Sequence, residues 1–147
     1  MIVNQMKLSF LATSANEGFA RSAAAAFLVS LDPTVEELAD IRTAVSEAVT
    51  NAIVHGYREE GGTVLLEAKI NDTRRVTVRI RDRGCGIPDI PKAMEPLFTT
   101  SPEGERAGLG FAVMQSFMDK ITVRSVVGKG TTITMLKKIS LRFGKNG

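Results

Sequence analysis

Apolar and polar residues recur at two spacings along this chain, and the two spacings separate predicted strands from predicted helices. Apolar residues at every second position are typical of a strand with one buried face. The pattern predicts five strands, over residues 6–12, 63–70, 76–81, 121–127 and 132–139. The turn residues at 71–73 and the glycines at 128 and 130 predict that the second strand pairs with the third, and the fourth with the fifth, as hairpins.

Three segments have helical signals instead. Ser14 and Glu17 match a capping box, which predicts a helix that ends at about Leu31. Thr34 and Glu37 match a second capping box, at the start of a long helix that Gly56 ends. A third helix is predicted from Leu109 to about Lys120, with Phe111, Met114 and Met118 on its apolar side.

The element order indicates the fold class. Helices and strands do not alternate regularly, which disfavours a doubly wound parallel sheet. We therefore predict an α+β fold, a two-layer sandwich in which helices cover one face of a mixed sheet. Residues 83–107 contain four of the five prolines. A loop of that length inside a compact domain is usually a functional lid or a disordered segment.

The long helix carries an unusual polar stripe beside its apolar one. Glu47, Asn51 and His55 lie four residues apart and therefore one turn apart on the helix, next to Ala44. A solvent-facing stripe more often consists of Lys and Glu. The pattern indicates that a carboxylate, a carboxamide and an imidazole face something specific.

Composition narrows the possibilities further. The chain has 147 residues, of which 44% are hydrophobic and 24% charged, as expected for one globular domain over 1–147. It has no apolar run near the roughly 20 residues that cross a bilayer and no signal-peptide pattern, so we expect neither a membrane span nor secretion. A single cysteine excludes a disulfide framework and favours the cytoplasm.

The charge balance gives a weaker signal. The net charge is +3, and part of it lies in the C-terminal tail. The tail is typical of a solvated, partly frayed end of the chain. Seven Phe and one Tyr give few aromatic partners for bases, so we expect no direct nucleic-acid binding.

Three glycine motifs follow the long helix, and each has a plainer alternative. Asp82-x-Gly84-x-Gly86 follows a predicted strand; it permits a close approach of backbone to a ligand, or it is ordinary turn chemistry. Gly108-Leu109-Gly110 at the mouth of a helix suits a phosphate, or it is a hinge. Residues 128–132 are most simply a hairpin turn.

Taken together and in this order, the polar stripe and the glycine motifs resemble the ATP-binding site of the GHKL superfamily. The finer resemblance is to the anti-sigma serine kinases within it, of the sporulation (anti-sigma F) type, with the stress-response (anti-sigma B) type as nearest relative. The segments that carry this resemblance are residues 46–57, 86–90, 96–100 and 130–132.

The resemblance implies roles for individual residues. Asn51 would hold Mg²⁺, and Asp82 would bind the adenine amino group with Thr131 nearby. Glu47 would be the general base and Arg106 a partner of the γ-phosphate. Residues 87–107 would form the ATP lid. The remaining positions implied to contact ATP or ADP are His55, Gly84, Gly86, Thr99, Gly108, Leu109 and Gly110.

Two of these residues keep a plainer interpretation. His55 precedes the helix-ending Gly56, where an imidazolium suits the negative end of the helix dipole, so its role is structural or direct. Arg21 on the first helix faces a protein partner, as the resemblance suggests, or is an ordinary exposed arginine. A reactive role for Cys85 is disfavoured because no activating base is evident.

The resemblance also implies an activity and partners. The protein would bind a sporulation sigma factor, as a homodimer, and phosphorylate a serine of an anti-anti-sigma antagonist. A sensor histidine kinase would need a phosphoacceptor histidine outside the ATP site, and the chain has one histidine. A clamp-type ATPase normally carries further domains. A nucleotide-bound anti-sigma adaptor without kinase activity is the non-enzyme alternative.

Overall fold

The computed structural model describes residues 1–58, 60–95 and 102–141, and the side chains of residues 102–109 lie outside that description. The five strands are β1 (Ile2–Leu11), β2 (Thr63–Asn71), β3 (Arg75–Asp82), β4 (Lys120–Val126) and β5 (Gly130–Lys138). The α-helices are α1 (Ala15–Phe27), α2 (Val35–Thr50), the short α3 (Ile90–Ala93) and α4 (Pro102–Phe117). A 3₁₀ turn (Val29–Leu31) follows α1, and a π-helical turn (Asn51–Gly56) continues α2.

The five strands form one sheet in the order β1-β2-β3-β5-β4, and every neighbouring pair is antiparallel. The α+β class is confirmed, but the expectation of a mixed sheet is wrong. The helix α4 crosses over from β3 to β4, and such a crossover makes β4 parallel to β3. The hairpin partner β5 lies between these two strands, so no parallel pair is formed.

Both predicted hairpins are present, and their register follows the apolar pattern. Leu66 on β2 pairs with Leu8 on one side and with Ile80 on the other, and all three point to the face that the helices cover. A shift of one residue would turn this whole row to the opposite face, so burial of the row fixes the register.

The core lies between this sheet face and helices α1, α2 and α4, with α2 in contact with both of the others. Its largest fully buried side chains include Leu28, Ile41, Leu66, Ile70, Ile80, Phe111, Met114, Met135 and Ile139. Burial of each such side chain contributes about 1.5–3 kcal/mol to the hydrophobic driving force. Within the described ranges, no helix is long and apolar enough to span a membrane.

The capping box predicted for α1 is absent. Ser14 is in a helical conformation and its side chain makes no capping hydrogen bond. Glu17, the predicted partner, instead accepts a hydrogen bond from Ser46 on α2 and lies 3.6 Å from Arg21. A tertiary contact to α2 therefore takes the carboxylate that the local pattern assigned to the cap. The helix also ends at Phe27, before the predicted Leu31.

The third helix begins seven residues earlier than predicted, at Pro102 instead of Leu109. Proline suits the first turn of a helix because it has no N–H to leave unpaired. The glycines at 104, 108 and 110 each lower the helix propensity by about 1 kcal/mol relative to alanine. Because of them, the sequence pattern did not predict a helix start at Pro102. Residues 102–107 of the predicted lid are therefore helical, while its residues 96–101 lie outside the described ranges.

The capping box of α2 is present as predicted. The Thr34 hydroxyl accepts from the Glu37 N–H at 3.0 Å, and the Glu37 carboxylate accepts from the Thr34 N–H at 2.9 Å. The other carboxylate oxygen of Glu37 accepts from the Ser140 N–H at 2.8 Å. Burial works to raise the pKa of Glu37, but these hydrogen bonds outweigh it and lower the pKa. Glu37 therefore holds the start of α2 and the chain after β5 together.

Replacing Thr34 with alanine should lower the free energy of unfolding by about 1 kcal/mol, because an N-cap side chain satisfies an otherwise unpaired backbone N–H. Urea unfolding followed by circular dichroism measures this difference. A free energy of unfolding equal to that of the wild type would contradict the assignment of Thr34 as the cap.

Candidate functional site

The polar stripe lies where the long helix changes its winding. Residues Asn51–Gly56 form a π-helical turn, closed by a hydrogen bond of 2.9 Å from the Tyr57 N–H to the Ala52 carbonyl. The prediction of one uniform α-helix up to Gly56 is therefore wrong at its last turn. Single π turns inside helices occur frequently at functional sites. Here the wider turn changes the angle between Asn51 and His55 relative to an α-helix.

The π turn packs directly onto the end of β3. A Cβ atom on Gly56 would lie 2.9 Å from the Asp82 carboxylate, and one on Gly84 would lie 2.1 Å from the Gly56 carbonyl oxygen. The same carbonyl accepts from the Cys85 N–H at 2.8 Å. Only glycine fits at both positions, so the close approach predicted for Gly84 is an approach to Gly56, within the chain itself.

Asp82 is the buried acid of this junction, with 6% of its surface exposed. Its Oδ1 atom accepts from the Gly84 N–H at 2.8 Å. Burial raises the pKa of Asp82, and hydrogen bonds from the backbone at Gly84 and Thr131 partly oppose that rise. The carboxylate is thus held in one place and is short of solvation, which suits an acceptor for a donor group of a ligand.

A cavity of about 300 Å³ opens beside Asp82. Five of its lining residues are site residues that the sequence predicted: Asn51, His55, Asp82, Gly86 and Thr131. Ile87, Pro88 and Ala93 of the lining belong to the predicted lid, and the lining residues that the sequence did not indicate are Gly56, Arg58, Cys85, Phe111 and Ile133. The cavity is mostly apolar with a few convergent polar groups, which is typical of a small-molecule site.

Glu47 and Asn51 lie together next to α4. A Cβ atom on Gly110 would be 3.1 Å from Glu47 Oε2 and 3.5 Å from Asn51 Oδ1. Asn51 Nδ2 is buried and, within the described part of the chain, has no hydrogen-bond partner. A buried polar group without a partner is costly, and such groups mark places where a ligand completes the bonding.

The glycine motif on α4 is not at a helix mouth. The helix starts at Pro102, so Gly108 and Gly110 lie inside it, and the predicted placement of these glycines at a helix N-terminus is wrong. Their contact with a nucleotide stays a prediction. Gly110 is buried against the polar stripe instead. Thr99 lies outside the described residues, as do the side chains of Arg106 and Leu109.

Ser125 is a supporting residue that sequence reasoning missed. Its hydroxyl lies 2.8 Å from the Thr131 hydroxyl, donates to the Gly130 carbonyl at 3.0 Å and accepts from the Ile87 N–H at 2.7 Å. It thereby joins β4 and β5 to the segment that follows Gly86. A serine at an inward position of a strand gave no signal, because only the tertiary structure brings Ile87 to it.

Arg21 lies on α1, on a surface that is separate from the cavity. It borders a groove together with Ala39, Arg42, Thr43 and Ser46. Its guanidinium lies 3.6 Å from Glu17, and its Nε atom is buried with no hydrogen-bond partner among the described residues. The structure therefore does not bring Arg21 together with the other predicted site residues.

Comparison with known proteins agrees with this architecture. The profile of the histidine kinase-like ATPase domain family matches residues 10–137. An anti-sigma F factor of Clostridium acetobutylicum is 56% identical over 141 residues, covering 96% of this chain and 98% of the relative. Another, from Thermoanaerobacter sp., is 56% identical over 136 residues, covering 92% of this chain and 94% of the relative.

Among solved structures, the RsbU and RsbW domains of a Mycobacterium tuberculosis protein superpose with a TM-score of 0.67 at 18% identity. The match covers 95% of this chain and 33% of that one, and it supports the fold alone. The chain belongs to the histidine kinase-like ATPase family and, within it, to the anti-sigma F factors. The resemblance predicted from the motifs is confirmed, and an ATPase-type domain implies nucleotide binding.

The polar residues fit a magnesium nucleotide. Mg²⁺ prefers oxygen ligands and takes most of them from phosphates and water, with few from protein. The Asn51 amide is half-buried and offers an oxygen ligand, its nitrogen has no hydrogen-bond partner among the described residues, and the Glu47 carboxylate lies nearby. In the described part of the chain, no three His, Cys, Asp or Glu side chains are grouped to hold a metal by themselves. An ion held here would therefore rely on the nucleotide for most of its ligands.

Replacing Asp82 with asparagine should remove a buried charge and keep an oxygen for the Gly84 N–H. The pKa of Asp82 is raised in the folded protein, so the folded wild type binds a proton more readily than the unfolded chain. The free energy of unfolding therefore falls as the pH rises from the usual aspartate pKa through the raised pKa of folded Asp82. We expect Asp82→Asn to be at least as stable as the wild type at neutral pH. This advantage should vanish at lower pH, where the wild-type carboxyl is itself neutral.

Urea unfolding of both proteins across a pH series measures this difference. If the variant is less stable than the wild type by the same amount at every pH, then ionisation of the buried Asp82 carboxyl does not destabilise the fold and the prediction is wrong.

Proposed function

We propose that this protein binds ATP with Mg²⁺, phosphorylates a serine of an anti-anti-sigma antagonist, and binds a sporulation sigma factor. The observation that carries the enzymatic part is that one cavity joins two groups of polar residues. Asp82 and Thr131, at the ends of β3 and β5, border the cavity of about 300 Å³, and so does Asn51, which lies with Glu47 against Gly110.

The cavity is the adenine end of the site. The Asp82 carboxylate accepts a hydrogen bond from the adenine amino group, and the Thr131 hydroxyl lies beside it. The apolar lining residues, such as Ile87 and Phe111, contact the faces of the base. Burial of Asp82 supports this assignment, because an acceptor with little water around it gains most from a donor supplied by a ligand.

The polar stripe is the phosphate end. The Asn51 amide oxygen holds Mg²⁺, which when bound neutralises the charge on the phosphates. His55 lines the cavity between the base and the phosphates, where it contacts the nucleotide or orients the π turn. The family resemblance also assigns phosphate contacts to Arg106, Gly108 and Gly110, and nucleotide binding to Thr99 and Leu109.

Glu47 is the general base. As the serine oxygen forms its bond to the γ-phosphorus, its proton passes to the Glu47 carboxylate, and the bond to the bridging oxygen breaks to release ADP. Glu47 precedes Asn51 by one helical turn, so the carboxylate reaches a nucleophile that approaches the γ-phosphate. Both its carboxylate and the Asn51 amide lie beside the buried Gly110, which supports this pairing.

Binding of the sigma factor uses a separate surface and follows from membership in the anti-sigma F factors. The homodimer is proposed on the same ground. Arg21, on the outer surface of α1, is the proposed contact with a protein partner. Phosphorylation of the antagonist preserves the inhibited state of sigma, while an unphosphorylated antagonist displaces sigma.

The purified protein mixed with radiolabelled ATP, Mg²⁺ and a candidate antagonist should place label on a serine of that antagonist. Glu47→Gln should lower the rate by about 100-fold or more, the usual contribution of a general base, and should bind ATP as the wild type does.

Asp82→Asn should lose ATP binding itself, because an amide N–H would face the amino group of adenine.

Absence of label on any serine, while sigma binding persists, would leave the adaptor without kinase activity as the function. Full activity of Glu47→Gln would instead retain the kinase and reject its proposed base.

A further inference from the structure

Tyr57 lies outside the cavity and holds the backbone next to Asp82 by hydrogen bonds of its hydroxyl. This residue follows the π turn and is the first residue beyond Gly56. Its hydroxyl donates to the Thr63 carbonyl at 2.6 Å and accepts from the Arg83 N–H at 2.7 Å. One hydroxyl thus joins the start of β2 to the residue directly after Asp82. We call this pair of hydrogen bonds the Tyr57 clamp.

Tyr57 contacts both sides of the junction between the π turn and β3. The clamp holds Arg83, and therefore the backbone next to Asp82. Separately, the Tyr57 backbone N–H closes the π turn by its bond to the Ala52 carbonyl, which sets the position of Gly56. Gly56 packs so closely on Asp82 that a Cβ atom on Gly56 would lie 2.9 Å from the carboxylate. The positions of Arg83 and Gly56 therefore both restrict the Asp82 carboxylate.

The tyrosine ring is itself held in place. A Cβ atom on Gly62 would lie 2.3 Å from a ring carbon of Tyr57, so the loop before β2 covers the ring closely. Gly62 has a φ of 155°, and its neighbour Gly61 has a φ of 100° with nothing within 4 Å of a Cβ position. The two adjacent glycines therefore differ in one respect that matters here, which is contact with the ring.

Tyr57 does not border the nucleotide cavity; it lines grooves on the far side of the junction. It therefore acts on a ligand only through Asp82 and the backbone around it. We infer that Tyr57 is a positioning residue that sets the choice of base, by holding Asp82 rigid enough to accept from adenine and to repel guanine. This inference rests on the proposed function of the cavity.

The chemistry of the two bases gives the reason. Adenine presents an amino donor where guanine presents a carbonyl acceptor. A fixed carboxylate gains a hydrogen bond with the first and faces an uncompensated oxygen with the second. Sites with fixed polar groups discriminate strongly for this reason. A carboxylate free to turn away loses part of its bond to adenine and part of its repulsion of guanine.

The test compares binding of ADP and GDP, each with Mg²⁺, by titration calorimetry. For Tyr57→Phe, which keeps the ring and removes the hydroxyl, we expect the ratio of ADP to GDP affinity to fall about tenfold, the equivalent of one good hydrogen bond. Gly62→Ala keeps the hydroxyl and displaces the ring, and it should lower the ratio in the same direction.

Two controls separate positioning from loss of stability. Gly61→Ala strains the same loop without touching the ring, and it should leave the ratio unchanged. Thr34→Ala removes a cap at the far end of α2 and should lower the free energy of unfolding without altering the ratio. A general loosening of the fold would change the ratio in these controls too.

The outcomes are distinct. Wild-type ratios in both Tyr57→Phe and Gly62→Ala, with ADP binding intact, would overturn the inference and leave the proposed function standing. If Tyr57→Phe fails to fold, Gly62→Ala against Gly61→Ala decides. A wild-type protein that binds neither nucleotide would overturn the proposed function, and the inference with it.

Discussion

The backbone contact between Gly56 and Gly84 is the constraint on which the rest of the site depends. It brings the last turn of a long helix against the end of a central strand with no side chain between them. A Cβ on either residue would separate the helix from the strand. Because the contact exists, the buried carboxylate of Asp82 and the polar stripe of the helix border one cavity. Burial of Asp82 lowers stability at neutral pH, and we interpret this as the cost of a strong acceptor for a ligand.

The surrounding structure holds this contact from several sides. The π turn ends at Gly56, the Tyr57 hydroxyl joins β2 to Arg83, and Ser125 ties the segment after Gly86 to the neighbouring hairpin. Each bond uses a backbone group that would otherwise be unpaired at a strand or helix end. The Asp82 side of the cavity is thus held by several hydrogen bonds between strands and turns. Its Asn51 side borders α4.

Local pattern predicted the elements well where burial on one face imposes a period. The strand register, the two hairpins and the capping box at Thr34 follow from alternation and spacing alone. Errors arose where a distant contact overrode a local preference. Glu17 bonds to Ser46 instead of capping its own helix, and glycines hid the first turns of α4. The antiparallel sheet depends on where β5 inserts, which no local pattern encodes.

The sequence by itself indicated the family, through the spacing of Glu47, Asn51, Asp82 and the glycines, and comparison with anti-sigma F factors confirms the family. It also determined which residue types are present for chemistry. Only the tertiary structure decided that Gly84 serves contact with Gly56, that Gly110 packs on Glu47, and that Tyr57 stands behind Asp82. These pairs are far apart in the chain. Their meeting depends on the packing of helix on sheet, which periodicity along one segment cannot specify.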